Sequence, residues 1–462
     1  MRIVLINVGF MPGEADLRVA PPFGIMTVGA YLRQKGFDVT LLDWSGEPID
    51  EAKRALLERL GPDVVGVHLK ISSAISRAVQ VSQWARDLGA KVIWGGPGPA
   101  ILADVMLKEG PVDYLVIGEG EETAAELLEA LRSGSDPHLV NGIAYLEDGK
   151  VVRSLPRDRV MNLDSLPFPL WEDLGDLSRY HVPLHGRNVV PIVTSRGCPG
   201  NCTFCYTKSM WGYKWSARSP EMVVEEMRRL LAFDPRLGGF IIMDDLFATD
   251  PVRVGHICTI IKDSGLDIVW NCEIRADMIN EDLLGTMKAA GCKQVLMGIE
   301  SGSQRLLDLV RKDITVEDIR KACRLIHGAD MEVYAMLVNA LPTETVEDIR
   351  ATDHLLKEVR PDFTEFLVYM PYPGTPLFDL AVQEGFVAPR TLEEWAHMGT
   401  FDLRSVEDKG ITSVSEQMYE NMAKGAKRRA VRDSYVKEFM KEPLTAPVRG
   451  LKFLLKKREE RG

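Results

Sequence analysis

Short, β-branched, almost continuously apolar runs recur through this chain, each followed by a longer amphipathic run, and that alternation limits the fold more than any other feature. Between residues 1 and 133 it occurs five times, with strands expected at MRIVLINV (1–8), DVTLLD (38–43), DVVGVHL (63–69), KVIWGG (91–96) and YLVIGEG (114–120). Runs without polar alternation mark strands buried on both faces, as in a parallel sheet covered by helices. GIMTVGAYLRQKG (24–36) and EETAAELLEALRSG (121–134) supply the helical pattern. The expectation is an α/β, doubly wound, Rossmann-like domain with a five-stranded sheet.

The pattern stops at 134–185. NGIAYLEDGKVVRSL reads as a hairpin around Glu147, Asp148 and Gly149, and LDSLPFPLWEDL as a proline-rich connector that keeps Phe168 and Trp171 to bury. Alternation resumes near 186, with strands at 189–195, 240–245, 267–275, 294–300, 333–340 and 363–370. Residues 386–462 read as helices with no strand pattern. The expected division is therefore 1–133, 134–185, 186–385 and a helical region 386–462.

The 462 residues are 45% apolar and 27% charged, and no run of 18 apolar residues exists to span a membrane. MRIVLINVGF lacks a small-residue cleavage site, which reads as a cytoplasmic protein. The net charge is −11, but residues 424–462 carry 13 Lys or Arg against 5 Asp or Glu, so the remainder stands at −19. An acidic body argues against nucleic acid as a partner.

Seven cysteines, an odd number, do not form a disulfide framework. Three of them, Cys198, Cys202 and Cys205, lie in CPGNCTFC, whose small and turn-forming residues make it a loop. Soft thiolates suit an iron–sulfur cluster or zinc. A structural zinc site needs a fourth ligand, which His181 or His185 would have to supply; three buried thiols are the other alternative. Cys258, Cys272, Cys292 and Cys323 read as core thiols, and Trp211, Trp215 and Met243 as packing, although SMWGYKW (209–215) can wall a site.

The strand ends are polar or glycine-rich. In the second run they carry Asp244 and Asp245, Glu273 and Arg275, Glu300 and Ser301, and Asn339. Carboxylates there can take an ammonium and ribose hydroxyls, and Arg275 a carboxylate. In the first run they carry Ser72 and Ser73, then Gly95, Gly96, Pro97 and Gly98, then Gly118, Glu119 and Gly120. Glycines at such ends let a bulky ligand approach the backbone.

CPGNCTFC, with Phe204 before the last cysteine, resembles the fingerprint of the radical SAM enzymes. The resemblance implies a [4Fe–4S] cluster on the three cysteines, whose open iron chelates S-adenosylmethionine. One-electron cleavage then gives a 5′-deoxyadenosyl radical. It also implies a partial (β/α)6 barrel and a donor such as flavodoxin or ferredoxin. Asp244 and Asp245 would face the methionine amino group and Glu300 the ribose. ALPTET (340–345) is similar to the family's G-x-P-G-E-T turn, with Ala340 and Thr343 in place of glycines, and PYPGTPL (371–377) to its closing segment.

PPFG (21–24), GGP (95–97) and GEGEET (118–123) resemble the cobalamin domain of B12-dependent radical SAM enzymes. NVGFMPG stands where histidine-ligating domains carry D-x-H-x-x-G, so the lower cobalt face is expected to have no histidine. A domain that binds nothing is the alternative. The implied reaction is methyl transfer to an unactivated carbon or a phosphinate phosphorus. The alternatives are an oxidative cyclase or rearrangement enzyme resembling the anaerobic magnesium-protoporphyrin ester cyclase, or a non-catalytic cobalamin protein. The basic amphipathic segments 425–441 and 448–458 fit either packing on the barrel or peripheral membrane contact with a lipid substrate.

Overall fold

The computed structural model describes residues 1–10 and 20–398. The tail segments 425–441 and 448–458 lie outside the described residues.

The first sheet contains β1 (Arg2–Asn7), β2 (Asp38–Asp43), β3 (Val64–His68), β4 (Lys91–Gly95) and β5 (Tyr114–Val116), all parallel, in the order 2-1-3-4-5. The five expected strands are thus present. The hairpin β6 (Ile143–Glu147) and β7 (Lys150–Arg153) is not part of a separate connector: it pairs antiparallel along β5 and extends the sheet to seven strands. Ile143 and Ala144 are buried there, so the hairpin closes an edge that β5, three residues long, would leave open. The helices Phe23–Gln34 and Gly120–Ser133 lie side by side. The short helix Leu392–Met398 returns from the far end of the chain to pack on Ala74–Asp87 and Pro97–Glu109, and Leu392 N donates to Glu109 Oε2 at 2.8 Å.

The second sheet is an open half-barrel of six parallel strands, each followed by helix. They are β9 (Arg187–Ile192), β12 (Leu237–Ile242), β13 (Val269–Glu273), β14 (Cys292–Glu300), β15 (Glu332–Asn339) and β16 (Phe363–Val368). The antiparallel β8 (Val182–Leu184) borders β9, and β10 (Ser195–Arg196) pairs with β11 (Ser216–Ala217) beside the cysteine loop. Cys258, Cys272, Cys292 and Cys323 are all buried in this unit's core, as expected.

The segment between the sheets is anchored to both. Trp171 packs edge-on against Phe23 at 5.8 Å and donates to Glu226 Oε1 at 2.9 Å; Tyr180 donates to Asp43 Oδ2 at 2.6 Å. No helix among the described residues is long and apolar enough to cross a membrane.

Candidate active site

The loop of Cys198, Cys202 and Cys205 leaves the half-barrel at the end of its first parallel strand and is held from several sides. Asp245 Oδ2 accepts from Gly197 N at 2.7 Å. Thr203 N donates to Val310 O at 2.9 Å, and Thr203 O accepts from Leu377 N at 3.1 Å, so the PYPGTPL segment closes over the loop. Tyr372 of that segment meets Tyr206 edge-on at 5.2 Å. Cys198 Sγ accepts from Gly200 N at 3.3 Å, and Cys205 Sγ–H donates to Thr207 Oγ1 at 2.9 Å. Burial pushes the Cys202 thiol up to about 11 and also raises Cys205. These groups become ligands by exchanging protons for a cation.

Neither candidate histidine supplies the fourth ligand that a structural zinc site needs. Among the described residues no three His, Cys, Asp or Glu side chains converge as a single ion requires. The two histidines that would complete one are committed elsewhere, His181 to Asp234 at 3.0 Å and His185 to Glu332 at 3.1 Å. A larger, cage-shaped centre fits three thiols spread along one loop.

The polar strand ends divide into two groups. Asp244 is turned to the scaffold: its carboxylate accepts from Thr194 N (2.6 Å), Thr194 Oγ1 (2.6 Å), Ser195 N (3.0 Å) and Ser195 Oγ (2.6 Å), fixing the turn into the cysteine loop. Ser301 likewise bonds Thr352 Oγ1 at 3.1 Å and accepts from Ser303 N at 3.1 Å, which ties β14 to the helix Val346–Val359. Both are engaged by the scaffold.

The others remain at the site. Glu300, with φ +53°, accepts from Lys312 Nζ at 2.6 Å, both side chains buried. Gly298 makes room for this pair, since a Cβ there would lie 2.6 Å from Glu300 Oε1. Lys312 also acts electrostatically on Cys202 and Glu273. It was missed in the sequence because it follows a helix and ends no strand; the RKD run 311–313 was its only signal. Arg275 bonds Asp277 at 3.0 and 3.1 Å and stands against Gly200 of the cysteine loop. Asn339 is 3% exposed, and its Nδ2 has no partner among the described residues, a buried donor waiting for an acceptor. Phe204 is partly buried against the core. Ala340 and Thr343 both have left-handed backbones, φ +60° and +64°, so the turn keeps a glycine-type conformation without the glycines; Ala340 N donates to Glu344 Oε2 at 2.7 Å and Arg305 Nη2 to Thr343 O at 2.8 Å to hold it.

Burial raises the Glu273 carboxyl to about 7. A carboxyl whose pKa is higher folded than unfolded stabilises the fold most at low pH, and that contribution is lost as pH rises through about 7. Glu273→Gln is therefore expected to be stabilising relative to the parent at pH 8 and much less so at pH 5, read from thermal unfolding of both apoproteins. An equal difference at the two pH values would contradict the raised carboxyl.

Between the two sheets lies a cavity of about 330 Å³. One end is an apolar slot lined by Ile3, Leu5, Gly66, Val67, Ile93 and Leu128; the other opens on Tyr206, Met210, Trp211, Met243 and Asp245 of the half-barrel. Trp211 and Met243 thus line the cavity instead of serving only as packing. Gly95, Gly96, Pro97, Gly118 and Gly120 line it, and so do Phe23 and Gly24. Ser72, Ser73 and Gly98 do not: Ser72 and Ser73 start the helix Ala74–Asp87, and Gly98 packs on Leu69 O. Glu119 reaches the lining, but its carboxylate is taken by Arg196 Nη1 at 2.9 Å and Val160 N at 2.7 Å. Glu121 takes the other side of Arg196 at 2.6 Å. This buried pairing fastens the first unit to the strand that leads into Cys198.

Residues 192–356 match the radical SAM superfamily, and residues 17–128 match the B12 binding domain. The methyltransferase PH0819 of Pyrococcus horikoshii, itself uncharacterized, is 31% identical over 83% of this chain and 84% of its own. The anaerobic magnesium-protoporphyrin IX monomethyl ester cyclase of Rubrivivax gelatinosus is 29% identical over 82% of this chain and 69% of its own. The structure of TsrM from Kitasatospora setae, a radical S-adenosylmethionine methyltransferase, superposes with a TM-score of 0.69 at 21% identity, covering 84% of this chain and 78% of that one. Half-barrel, cysteine loop and glycine-lined Rossmann sheet define a radical SAM enzyme joined to a corrinoid-binding unit. The chain belongs to the B12-binding radical SAM family, whose members use a [4Fe–4S] cluster, S-adenosylmethionine and cobalamin.

The side chains present fit these groups. Three thiols on one tethered loop suit a cluster, the unpartnered Asn339 Nδ2 with the Glu300–Lys312 pair and the Glu273 carboxyl suits a zwitterionic nucleoside, and the apolar slot with its glycine rim suits a corrinoid.

Proposed function

We propose that this protein is a cobalamin-dependent radical SAM methyltransferase that methylates an unactivated carbon, or a phosphinate phosphorus, of a small molecule. The observation that carries this reading is that one cavity is shared by the two sheets: strand ends of the first sheet form one end, and Tyr206, Met243 and Asp245 of the half-barrel form the other. When bound, the cluster and S-adenosylmethionine supply a carbon-centred radical, and the corrinoid supplies a methyl group. The chain's contribution is placement. Cys198, Cys202 and Cys205 hold the cluster; Asp245, Glu273, Arg275, Glu300 with Lys312, Asn339 and Phe204 surround S-adenosylmethionine; Gly95, Gly96, Pro97, Gly118 and Gly120 make room for the corrinoid. Tyr206, Met210, Trp211 and Met243 keep water from the space between.

In this reading residues 1–133, with the hairpin 143–153, form the cobalamin unit, and 186–385 form the radical SAM unit. A flavodoxin or ferredoxin serves as electron donor. The likeness to the magnesium-protoporphyrin cyclase favours oxidative cyclisation as the second reading.

Anaerobic incubation with a cell extract, cobalamin and S-adenosylmethionine labelled in its methyl group separates the two. Methyl transfer yields a labelled product heavier by one CH2. Formation of 5′-deoxyadenosine with label recovered only in methionine would overturn methyl transfer in favour of cyclisation.

A further inference from the structure

Gly9 stands where a D-x-H-x-x-G histidine would be, and the position is closed to any side chain. Its φ is +55°, and a Cβ there would collide with Ser45. The neighbouring strand supplies an imidazole instead. His68 ends β3, the central one of the five parallel strands, and pairs in register with Asn7 of β1.

The hydrogen bonds fix which nitrogen of His68 is free. Asn7 Nδ2 donates to Asp43 Oδ1 at 2.8 Å and to Ser45 Oγ at 2.7 Å. A carboxylate only accepts, so the amide nitrogen must face Asp43, and Asn7 Oδ1 must face His68. That oxygen lies 3.1 Å from His68 Nδ1. It also only accepts, so the proton of the neutral ring sits on Nδ1, and Nε2 keeps its lone pair. Asp43 is anchored in turn by the Tyr180 hydroxyl at 2.6 Å.

Nε2 has no hydrogen-bond partner among the described residues, and the ring lines the cavity. Two glycines leave that edge uncovered: a Cβ on Gly24 would come within 3.0 Å of His68 Cδ2 and one on Gly96 within 2.8 Å. A neutral imidazole, lone pair outward, with its N–H tied to a relay ending in a carboxylate, has what a metal-ligating histidine requires. It stands between the apolar slot, which suits the nucleotide base of a corrinoid, and the half-barrel mouth, where the macrocycle would lie across the strand ends.

We infer that His68 Nε2 is the axial ligand to cobalt on the tail-side face of bound cobalamin, taking the place of the histidine that the loop after β1 lacks. The inference rests on the cobalamin reading above and reverses the expectation of a lower face without histidine.

Full-length protein is loaded with hydroxocobalamin and reduced to Co(II), and its paramagnetic resonance spectrum is recorded. Nitrogen superhyperfine triplets are expected from unlabelled protein and doublets from protein made with 15N-histidine. Triplets that persist in the labelled protein belong to the benzimidazole of the cofactor's own tail and overturn the inference, as does a spectrum without splitting. Because the wild-type chain is read directly, misfolding of a variant does not enter. His68→Gln, which keeps an amide beside Asn7, assigns the signal among the eight histidines: it is expected to retain cobalamin and lose the splitting, and His68→Gly to regain it with added imidazole. A splitting that survives His68→Gln also overturns the assignment. A wild-type protein that takes up no cobalamin overturns the cobalamin reading itself, which is a different failure.

Discussion

Alanine at any one of Cys198, Cys202 and Cys205 is expected to reduce cluster iron and 5′-deoxyadenosine formation to background. Each thiolate closes the coordination of one iron, and no other thiol can take its place: Cys258, Cys272, Cys292 and Cys323 are buried in the half-barrel core. The fold should survive, because the loop is tied down by backbone bonds at Gly197 and Thr203 and not by the thiols. Circular dichroism of each variant should therefore match the parent while iron and the broad visible absorption of the cluster are absent. Cys258→Ala is the control. It removes a fully buried group and should cost about 1 kcal/mol of stability while leaving iron content unchanged. A Cys198→Ala protein with parental iron and parental cleavage of S-adenosylmethionine would rule out the three-thiolate centre.

The cysteine loop and the eleven parallel strands were legible in the sequence because both signals are local. Spacing within CPGNCTFC is read directly, and strands buried on two faces have no polar alternation to hide them. What a strand end touches is not local. Asp244 and Asp245 are adjacent in sequence and look alike, yet Asp244 is consumed by Thr194 and Ser195 while Asp245 holds Gly197 and lines the cavity. Lys312 reaches Glu300 across a Gly298 gap that no pattern announces. The hairpin 143–153 was visible as a hairpin, but its partner β5 is chosen by the tertiary fold. His68 lies one residue inside the end of the expected strand 63–69; its significance depends on Asn7, 61 residues away, and on the side chain that Gly9 cannot carry.

The same limit applied to Glu119, and it leads to the largest stability effect expected in the chain. Arg196 is engaged by Glu119 at 2.9 Å and Glu121 at 2.6 Å, all three side chains at least 86% buried. Burial opposes the charge on Glu121, and Arg196 outweighs it, so the carboxyl sits below its usual range. Removing one partner of such a group strands charge in a medium that solvates it poorly. Arg196→Ala should destabilise the protein by about 3–5 kcal/mol, measured by denaturant unfolding of the apoprotein. Arg196→Lys should recover only part, since an ammonium cannot engage two carboxylates along a planar edge. The triple change Arg196→Met, Glu119→Gln and Glu121→Gln should be more stable than Arg196→Ala alone, because no charge is left unpaired. The sign with pH follows from the depressed carboxyl. Its stabilisation is present above the unfolded glutamate value near 4.5 and is lost as pH falls through the folded value, so the gap between parent and Arg196→Ala should narrow in acid. Arg196 lies two residues before Cys198, and its pairing spans the two sheets, so the variant should also loosen the register between cavity and cluster loop. Its cobalamin retention should fall even under conditions where both units remain folded. An Arg196→Ala protein within about 0.5 kcal/mol of the parent, with full cobalamin retention, would show that the two units are held by their apolar contacts alone.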